Sequence, residues 1–536
     1  MRMSLALGTS IWVVALLSAA SLTAAEQDLR LLDAVAKQNT RAARALLEEG
    51  VDVNTQRADG VTALLWAAHW NSLETIDLLL RAGAKVDAAD DHGVTPLIRA
   101  CENANVATVE RLLAGGANVN AAQASGLTPL MTAARTGNVN VVKALLARGA
   151  KVNAATTESK QTALMWATAE GHLDIVRTLV ENGADAHVSS QRGFTPLLHA
   201  ARNGDIETAK VLLAAGVNVN EAGGDGTHAL PLAIISSQDE FALFLLEQGA
   251  DPNGAMYGVN ALHAAAGSVE MWLRDWLRIR GVDRQRSMTE LDAPSRLVLV
   301  KALLAGGADP NARITTSAVV MNYLAAPTKG AFEAFSVGTG DIRDATPLWV
   351  AAFSANAGRG NFGTLDPSDS SSEIIDALLA AGADQRLTTA DGTTPLMAAA
   401  GIGHSTYQPR KPRGDRSPGA EEAVKALVLA GADINAVNEA DFTALHGAAF
   451  RGLNEVVQYL VEHGAHINAR DFRGRTAFRI AEGAKQSFQF QDWPATAELL
   501  RTLGANTSLG IPGTVQERQR DVNVATANKA GDTNQR

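Results

Sequence analysis

A run of polar side chains in the segment GIGHSTYQPRKPRGDRSP has the residue types of a ligand-binding or catalytic loop. His404, Tyr407 and Arg410 are among its polar residues. Asp366 lies in another interruption of the chain. If the fold brings these residues together, they would line a pocket for a small ligand or a substrate. The segment also contains Arg-Gly-Asp at 413–415, the cell-adhesion tripeptide, which chance explains easily in a loop rich in Arg and Gly.

Established catalytic and metal-binding signatures are absent from the sequence. The eleven histidines are dispersed, no H-x-x-x-H or cysteine pair has ligand spacing, and there is no G-x-S-x-G elbow or P-loop. The segment GRGNFG at 358–363 matches a dinucleotide-binding fingerprint only in its letters, because no predicted strand precedes it. We therefore expect no metal, no cofactor and no enzymatic activity.

The elements that must position these residues follow a repeated spacing. A threonine stands third in each of GVTALLWAA, GVTPLIRAC, GLTPLMTAA, KQTALMWAT and GFTPLLHAA, and these threonines recur at a nearly constant interval. A glycine lies about two thirds of the way from each threonine to the next. The threonines are Thr62, Thr95, Thr128, Thr162 and Thr195, and the glycines are Gly83, Gly116, Gly149, Gly183 and Gly216.

This pattern resembles the ankyrin repeat, whose signature is T-P-L-H-x-A at a period of about 33 residues. The resemblance covers about residues 29–506, and later units begin at Thr346, Thr394, Thr443 and Thr476. It implies an all-α ankyrin-repeat solenoid of about twelve stacked helix-turn-helix units with short β-turns in the finger loops between them. The overall pattern is similar to that of secreted bacterial ankyrin-repeat proteins.

Local physical chemistry agrees with the resemblance. Thr is a good N-cap and Pro is tolerated at the first helical position, so Thr-Pro-Leu predicts a helix start. The second helix of a unit, such as NVVKALLARG at 140–149, ends in a glycine suited to a left-handed C-cap. Segments such as ANVNA then predict short extended stretches with Asn or Asp at the turn. Because no single unit buries its own faces, the units must stack.

The concave face of ankyrin repeats, made by finger loops and first helices, commonly binds partners, and the resemblance carries this role to particular positions here. An aromatic and arginine-rich surface is typical of a protein-binding hot spot and is compatible with carbohydrate stacking. The alternative is that Trp66 and Trp166 pack between repeats. His228 stands at the capping position of its unit, where it either forms a structural hydrogen bond between repeats or contacts a ligand. The candidate groove residues are Trp66, His69, Trp70, Arg99, Glu102, Arg135, Trp166, His199, Arg202 and His228.

Insertions interrupt the spacing between residues 257 and 439. They fall at about 268–293, 313–342, 355–370 and 402–418. The first, third and fourth of them, and a shorter excess after Thr476, lie in the turn between the two helices of a unit. Insertions at one register of a repeat map to one side, so we expect a composite lobe there, with His404, Tyr407 and Arg410 as candidate contact residues.

The segment VEMWLRDWLRIR at 269–280 predicts an amphipathic helix with Trp272 and Trp276 on its apolar face. Such a helix either binds a partner or a membrane, or packs onto the repeats. Packing is the favoured interpretation, and the two tryptophans are also candidate contact residues of the insertion lobe.

The two ends of the chain do not follow the repeat. Arg2, the apolar run IWVVALLSAASL at 11–22 and the small residues at 23–25 predict a secretory signal over 1–25, too short for a stable membrane span. We therefore expect a periplasmic or secreted protein. The remaining predicted regions are an N-terminal capping repeat at 26–58, regular repeats at 59–256, repeats with insertions at 257–439, C-terminal repeats and cap at 440–506, and a disordered tail at 507–536.

Net charge and cysteine content narrow the function further. The net charge of −10 disfavours a nucleic-acid binder, which needs a basic footprint, and the one cysteine, Cys101, excludes an intrachain disulfide and is expected in the core. The leading hypothesis is a monomeric, non-enzymatic exported scaffold that binds a protein partner through the groove and the insertion lobe. The alternatives are a small-ligand-binding protein or enzyme with a site between lobe and groove, and a secreted effector that binds a host protein.

Overall fold

The computed structural model describes residues 28–269, 272–273, 276, 293–316, 342–355, 371–403, 416–471, 474–483 and 492–509. The chain divides into two compact units, residues 1–151 and 152–536. Within each unit the first helix of a pair packs against the first helix of the next pair. The prediction of all-α helix-turn-helix units is confirmed, while the count of about twelve stays a prediction. The predicted signal, residues 510–536 of the predicted tail, and Asp366, His404, Tyr407 and Arg410 lie outside the described residues.

The first unit contains four helix pairs among its described residues, and each pair is joined by a short turn. The helices are α1 (Arg30–Ala36), α2 (Thr40–Glu48), α3 (Ala63–His69), α4 (Leu73–Arg81), α5 (Pro96–Glu102), α6 (Val106–Ala114), α7 (Pro129–Thr136) and α8 (Val139–Ala147).

The second unit continues the same pattern and adds one short hairpin. Its helices are α9 (Ala163–Ala169), α10 (Leu173–Glu181), α11 (Pro196–Asn203), α12 (Ile206–Ala214), α13 (Ala229–Ile235), α14 (Asp239–Glu247), α15 (Ala261–Ala266), α16 (Ala293–Ala305), α17 (Pro347–Ala355), α18 (Ser371–Ala380), α19 (Pro395–Ala399), α20 (Pro418–Leu429), α21 (Ala444–Arg451), α22 (Asn454–Glu462), α23 (Ala477–Ala481) and α24 (Pro494–Thr502). Strands β1 (Ala255–Met256) and β2 (Val259–Asn260) pair antiparallel, with Ala255 opposite Asn260.

The helix starts are capped as the sequence predicts. The hydroxyl of Thr62 accepts the backbone N–H of Leu65 at 3.2 Å, and the same bond recurs at Thr95, Thr128, Thr162, Thr195, Thr346, Thr394 and Thr476. The side chain of Asn260 does the same for His263 at 3.1 Å. Each such cap satisfies one of the free N–H groups at a helix start.

Glycine ends the second helices in the left-handed conformation, with φ of +87° at Gly83 and +83° at Gly183. An asparagine of the preceding finger loop then binds this helix end. Asn153 donates its side-chain amide to the Gly183 carbonyl at 2.9 Å and accepts the Asp185 N–H at 2.8 Å. We call this two-bond arrangement the asparagine bridge; it recurs at Asn54, Asn120, Asn220, Asn253, Asn311 and Asn435.

The core lies between the helices of each unit and consists mostly of small and branched apolar side chains. Paired alanines such as Ala67, Ala68 and Ala133 are fully buried, as are leucines such as Leu79 and Leu112. Cys101 is fully buried on α5, as expected, and burial raises the pKa of its thiol well above the ordinary value. Among the described residues, no helix is long and apolar enough to cross a membrane.

Candidate partner-binding surfaces

The first unit carries an aromatic patch, formed by Trp66, His69 and Trp70 at the end of α3. The two indole rings stack with centroids 6.1 Å apart, and the His69 ring meets both edge-on, at 5.5 Å from Trp66 and 4.6 Å from Trp70. Trp70 is 40% exposed, and its indole N–H donates to the Ala36 carbonyl at 3.1 Å. An aromatic ring held in place by its neighbours offers contact area without losing much rotamer freedom on binding.

For Trp66 the structure agrees with packing between repeats, one of its two interpretations. Trp66 is half-buried, and its indole nitrogen is buried without a hydrogen-bond partner, so its body packs within the repeat stack. Trp70 supplies the more exposed ring of the aromatic patch. Trp70 is therefore the better candidate for partner contact.

Charged side chains occupy the next two first helices of the same unit. Arg99 forms an ion pair with Glu102, one turn along α5, with 2.5 Å between nitrogen and oxygen. Both side chains are about one-third exposed or less, so the pair is partly shielded from water. Arg135 is exposed on α7. First helices of neighbouring pairs pack together, so Arg99 and Glu102 lie on the helix next to the aromatic patch, and Arg135 lies one first helix further along.

The candidate groove residues of the second unit differ in burial. Trp166 is half-buried on α9, and His199 on α11 is only 7% exposed. Both ring nitrogens of His199 are buried without a hydrogen-bond partner. Burial first, and the nearby Arg202 cation second, lower the pKa of His199 to about 3, so the ring is neutral at pH 7.

Phe194 connects His199 and Arg202. The His199 ring lies 5.2 Å from the Phe194 ring, and the Arg202 guanidinium carbon lies 5.7 Å from its centroid, in cation–π range. Burial lowers the pKa of Arg202. The apolar ring of Phe194 thus shields both polar groups from water, which is why the groove position of His199 is not an open surface.

Of the two interpretations of His228, the structure agrees with a structural hydrogen bond between repeats. His228 makes no side-chain cap for α13, and its Nδ1 instead lies 2.9 Å from the carbonyl oxygen of Ala255, in the following repeat. Gly254 packs closely against His228, since a Cβ at Gly254 would lie 3.3 Å from the His228 Cβ. His228 therefore ties two repeats together.

The two tryptophans of the first insertion pack onto the repeats. Trp272 is 1% exposed, donates its N–H to the Ile342 carbonyl at 3.2 Å and meets Trp349 edge-on at 6.0 Å. Trp276 is 4% exposed. The packing interpretation of this segment agrees with this burial, and an exposed contact role for either side chain does not, because each indole is covered by the scaffold.

Phe194 and Asp225 are contact residues of this region that the predicted site does not include. Trp276 donates its indole N–H to a carboxylate oxygen of Asp225 at 3.1 Å, and its ring lies 6.2 Å from that of Phe194. Phe194 precedes a capping threonine and Asp225 lies in a glycine-rich finger loop, so the only sequence signal was an aromatic residue beside a repeat start.

Among the described residues no group of three or more His, Cys, Asp or Glu is arranged to hold a metal ion.

Comparisons with known proteins agree on the type of repeat. A family profile described as ankyrin repeats (3 copies) matches residues 31–123, 104–190 and 182–256, and profiles for ankyrin repeats (many copies) and the ankyrin repeat match 427–481 and 391–439. Together these matches cover more than half of the chain.

Individual relatives match only in part. The E3 ubiquitin-protein ligase KEG of Arabidopsis thaliana is 30% identical over 315 residues, 58% of this chain and 17% of that protein. Alpha-latroinsectotoxin-Lt1a of Latrodectus tredecimguttatus is 35% identical over 151 residues, 28% of this chain and 8% of that protein. The human ASB11 ankyrin repeat domain aligns with a TM-score of 0.37 and 30% identity, over 40% of this chain and 96% of that structure. The chain thus spans less than a fifth of either curated relative.

Proposed function

Since the chain belongs to the ankyrin-repeat family, whose repeats generally serve as protein–protein interaction modules, we propose that it is a non-enzymatic scaffold that binds a protein partner. Binding uses the first helices and finger loops of its repeats. The scaffold acts outside the cytoplasm, in the periplasm or the medium, as the secretory pattern of residues 1–25 supports. The ligase and toxin activities of the two relatives are not carried over, because the match to each covers only a small part of its length.

The observation that carries the proposal is the aromatic patch of Trp66, His69 and Trp70. Trp70 is 40% exposed although its indole ring is large and apolar, and its orientation is fixed by stacking on Trp66 and by the bond to Ala36. Tryptophan and arginine are the residue types most enriched in binding hot spots, and Arg135 is exposed in the same unit. Burial of a preordered aromatic ring by a protein partner is therefore more favourable than its exposure to water.

Affinity capture tests this proposal. The chain from residue 26 onward is immobilised and exposed to envelope extract of its own organism, beside the variants Trp70→Ala and Arg135→Ala. Trp70 is preferred to Trp66 because truncation of the half-buried Trp66 would also leave a cavity. Two control variants lie on second helices: Arg81→Ala, at an exposed arginine, and Leu429→Ala, at a leucine that is 81% exposed.

We expect Trp70→Ala to lower recovery of the specific partner at least about tenfold, as for a hot-spot residue, and Arg135→Ala to lower it less. Both controls should capture as the unaltered protein does. Equal capture by Trp70→Ala and by the unaltered protein would refute the assignment of the surface. Circular dichroism of each variant confirms that the repeats remain folded.

A further inference from the structure

The asparagine bridge does not form at His187, which stands at the asparagine position of its repeat in the second unit. Asn153 occupies that position in the preceding repeat and Asn220 in the following one, and both form the complete bridge. The bridge partners at this step would be the carbonyl of Gly216 and the N–H of Asn218. Within the described part of the chain, His187 donates its backbone N–H and its ring hydrogen bond elsewhere. This joint between two finger loops is therefore held by a different contact.

The imidazole of His187 is paired with Glu221 of the next finger loop. Its Nδ1 lies 2.8 Å from a carboxylate oxygen of Glu221, 34 residues away in the chain. The backbone of His187 is also fixed, because its N–H donates to the Asp185 carboxylate at 2.9 Å. A protonated imidazole donates a charge-assisted hydrogen bond to a carboxylate, whereas a neutral imidazole has no charge to pair. The strength of this contact therefore depends on the protonation of His187.

Both members of the pair differ from the residues at equivalent positions of other repeats. Where Glu221 stands here, the residue that follows a bridging asparagine elsewhere has a short side chain or none. These residues are Thr55, Ala121, Ala154, Gly254, Ala312 and Ala436. Two further substitutions of the bridging asparagine behave differently: Asp87 keeps the acceptor of the bridge, and Arg386 pairs with Asp384 of its own loop at 2.9 Å. Two departures that contact each other indicate a link that takes the place of the bridge.

Two carboxylates act on the imidazole, one from each loop of the joint. Glu221 acts through its hydrogen bond first and its charge second, and Asp185 acts by charge; together they raise the pKa of His187 above its ordinary value of 6.5. The stability that a raised pKa contributes is fully present below pH 6.5 and is lost as the pH rises through the folded-state pKa. The side chains of His187 and Glu221 are 53% and 25% exposed, so this contribution is small and confined to the joint.

We propose that the His187–Glu221 pair is a proton-dependent link between two finger loops, in place of the asparagine bridge. Protonation of the imidazole at mildly acidic pH tightens this joint, and loss of the proton at alkaline pH loosens it. The bridges of Asn153 and Asn220 on either side contain no titrating group, so they hold their joints at either pH. This inference goes beyond the proposed function and does not depend on it, since it concerns contacts within the chain.

Nuclear magnetic resonance of histidine-labelled full-length protein measures the proton-binding step. The signal of His187 is identified by its absence from His187→Asn, and its titration is followed in the unaltered protein, in Glu221→Gln and in Asp185→Asn. The titration midpoint should lie above pH 6.5 in the unaltered protein and should fall in Glu221→Gln. Asp185→Asn is the matched control within the same loop and should lower the midpoint less, because Asp185 acts on the ring by charge alone. An equal midpoint in the unaltered protein and Glu221→Gln would overturn the proposal.

Hydrogen–deuterium exchange followed by mass spectrometry measures the joint itself. His187→Asn restores the residue of the neighbouring repeats, so its joint can form the amide bridge at every pH. Exchange of residues 185–221 is compared between the two proteins at the same pH, which cancels the intrinsic pH dependence of exchange. The ratio of rates, unaltered protein over His187→Asn, should be roughly two- to fivefold larger at pH 8.5 than at pH 5.5, the change that loss of an exposed ion pair gives. The same ratio at both pH values would show that the pair does not hold the joint, whatever the pKa of His187.

Discussion

Asn153 and Gly183 are joined by a hydrogen bond of 2.9 Å from the asparagine side-chain amide to the glycine carbonyl, across 30 residues of chain. The same asparagine accepts the N–H of Asp185 at 2.8 Å. Because the left-handed glycine turns the helix end toward the finger loop, one side chain satisfies two backbone groups of the next repeat. The bridge explains why asparagine, with both donor and acceptor, recurs at this position.

The Asn153→Asp variant should therefore be less stable than the unaltered protein by about 1–2 kcal/mol, because the carboxylate keeps the acceptor but loses the donor toward Gly183. Urea unfolding followed by circular dichroism measures this difference. The chain offers a matched control at Asp87, the equivalent position of another repeat, which accepts the Asn118 N–H at 2.8 Å. Asp87→Asn should be neutral or slightly stabilising. Equal stability of Asn153→Asp and the unaltered protein would show that the bridge contributes nothing.

His199 makes the second unit sensitive to acid. Its pKa is about 3 in the folded chain, against an ordinary value of 6.5, so between pH 6.5 and pH 3 the unfolded chain binds a proton that the folded chain excludes. Stability thus falls as the pH falls through this window, by about 1.4 kcal/mol per pH unit for that proton. Burial lowers the pKa of His263 and His446 too, so the slope of the whole chain contains their contributions.

The His199→Leu variant separates the contribution of His199, because leucine is the residue of the next repeat at this position. Urea unfolding at pH 7 and pH 5 should show a smaller loss of stability for His199→Leu than for the unaltered protein. At pH 7 the variant should be at least as stable, since two unsatisfied nitrogens are removed. The same loss between the two pH values in both proteins would contradict this account of His199.

Cys101 should report unfolding of the first unit. Its thiol is fully buried and its pKa is raised by burial, so a thiol reagent such as DTNB should react at least ~1,000-fold more slowly with the native protein than with the chain in urea. The chain has one cysteine, so the signal has one source. Reaction of the native protein at the rate of the unfolded chain would show that α5 is open to solvent.

The proposed export leads to a separate prediction about the N-terminus of the mature protein. If residues 1–25 form a cleaved signal, the protein recovered from the envelope or medium of its own organism should begin at Glu26. N-terminal sequencing or intact mass measures this directly. Recovery of the full-length chain in the cytoplasmic fraction alone would contradict the proposal of export.

The repeat architecture was predictable from the sequence because its signals are local and periodic. Thr62 and Thr195 cap helices where the spacing places them, and Gly83 and Gly183 end helices with positive φ. The contact between Trp276 and Asp225 was not predictable, because amphipathic spacing identifies the apolar face of a segment but not the surface against which that face packs. The burial of His199 was missed for the same reason: its repeat position indicates the groove, and only the neighbouring Phe194 decides its exposure.

Site-specific photo-crosslinking tests the central claim most directly, namely that the surface of the first unit around Trp70 and Arg135 meets the partner. Benzoylphenylalanine is placed at position 135 with Trp70 intact, at position 135 with Trp70→Ala, and at position 81 on the second helix α4. The proposed function predicts a partner adduct from position 135 that falls strongly when Trp70 is replaced, and no adduct from position 81. Adducts of equal yield from positions 135 and 81, or an adduct at 135 unaffected by Trp70→Ala, would contradict it.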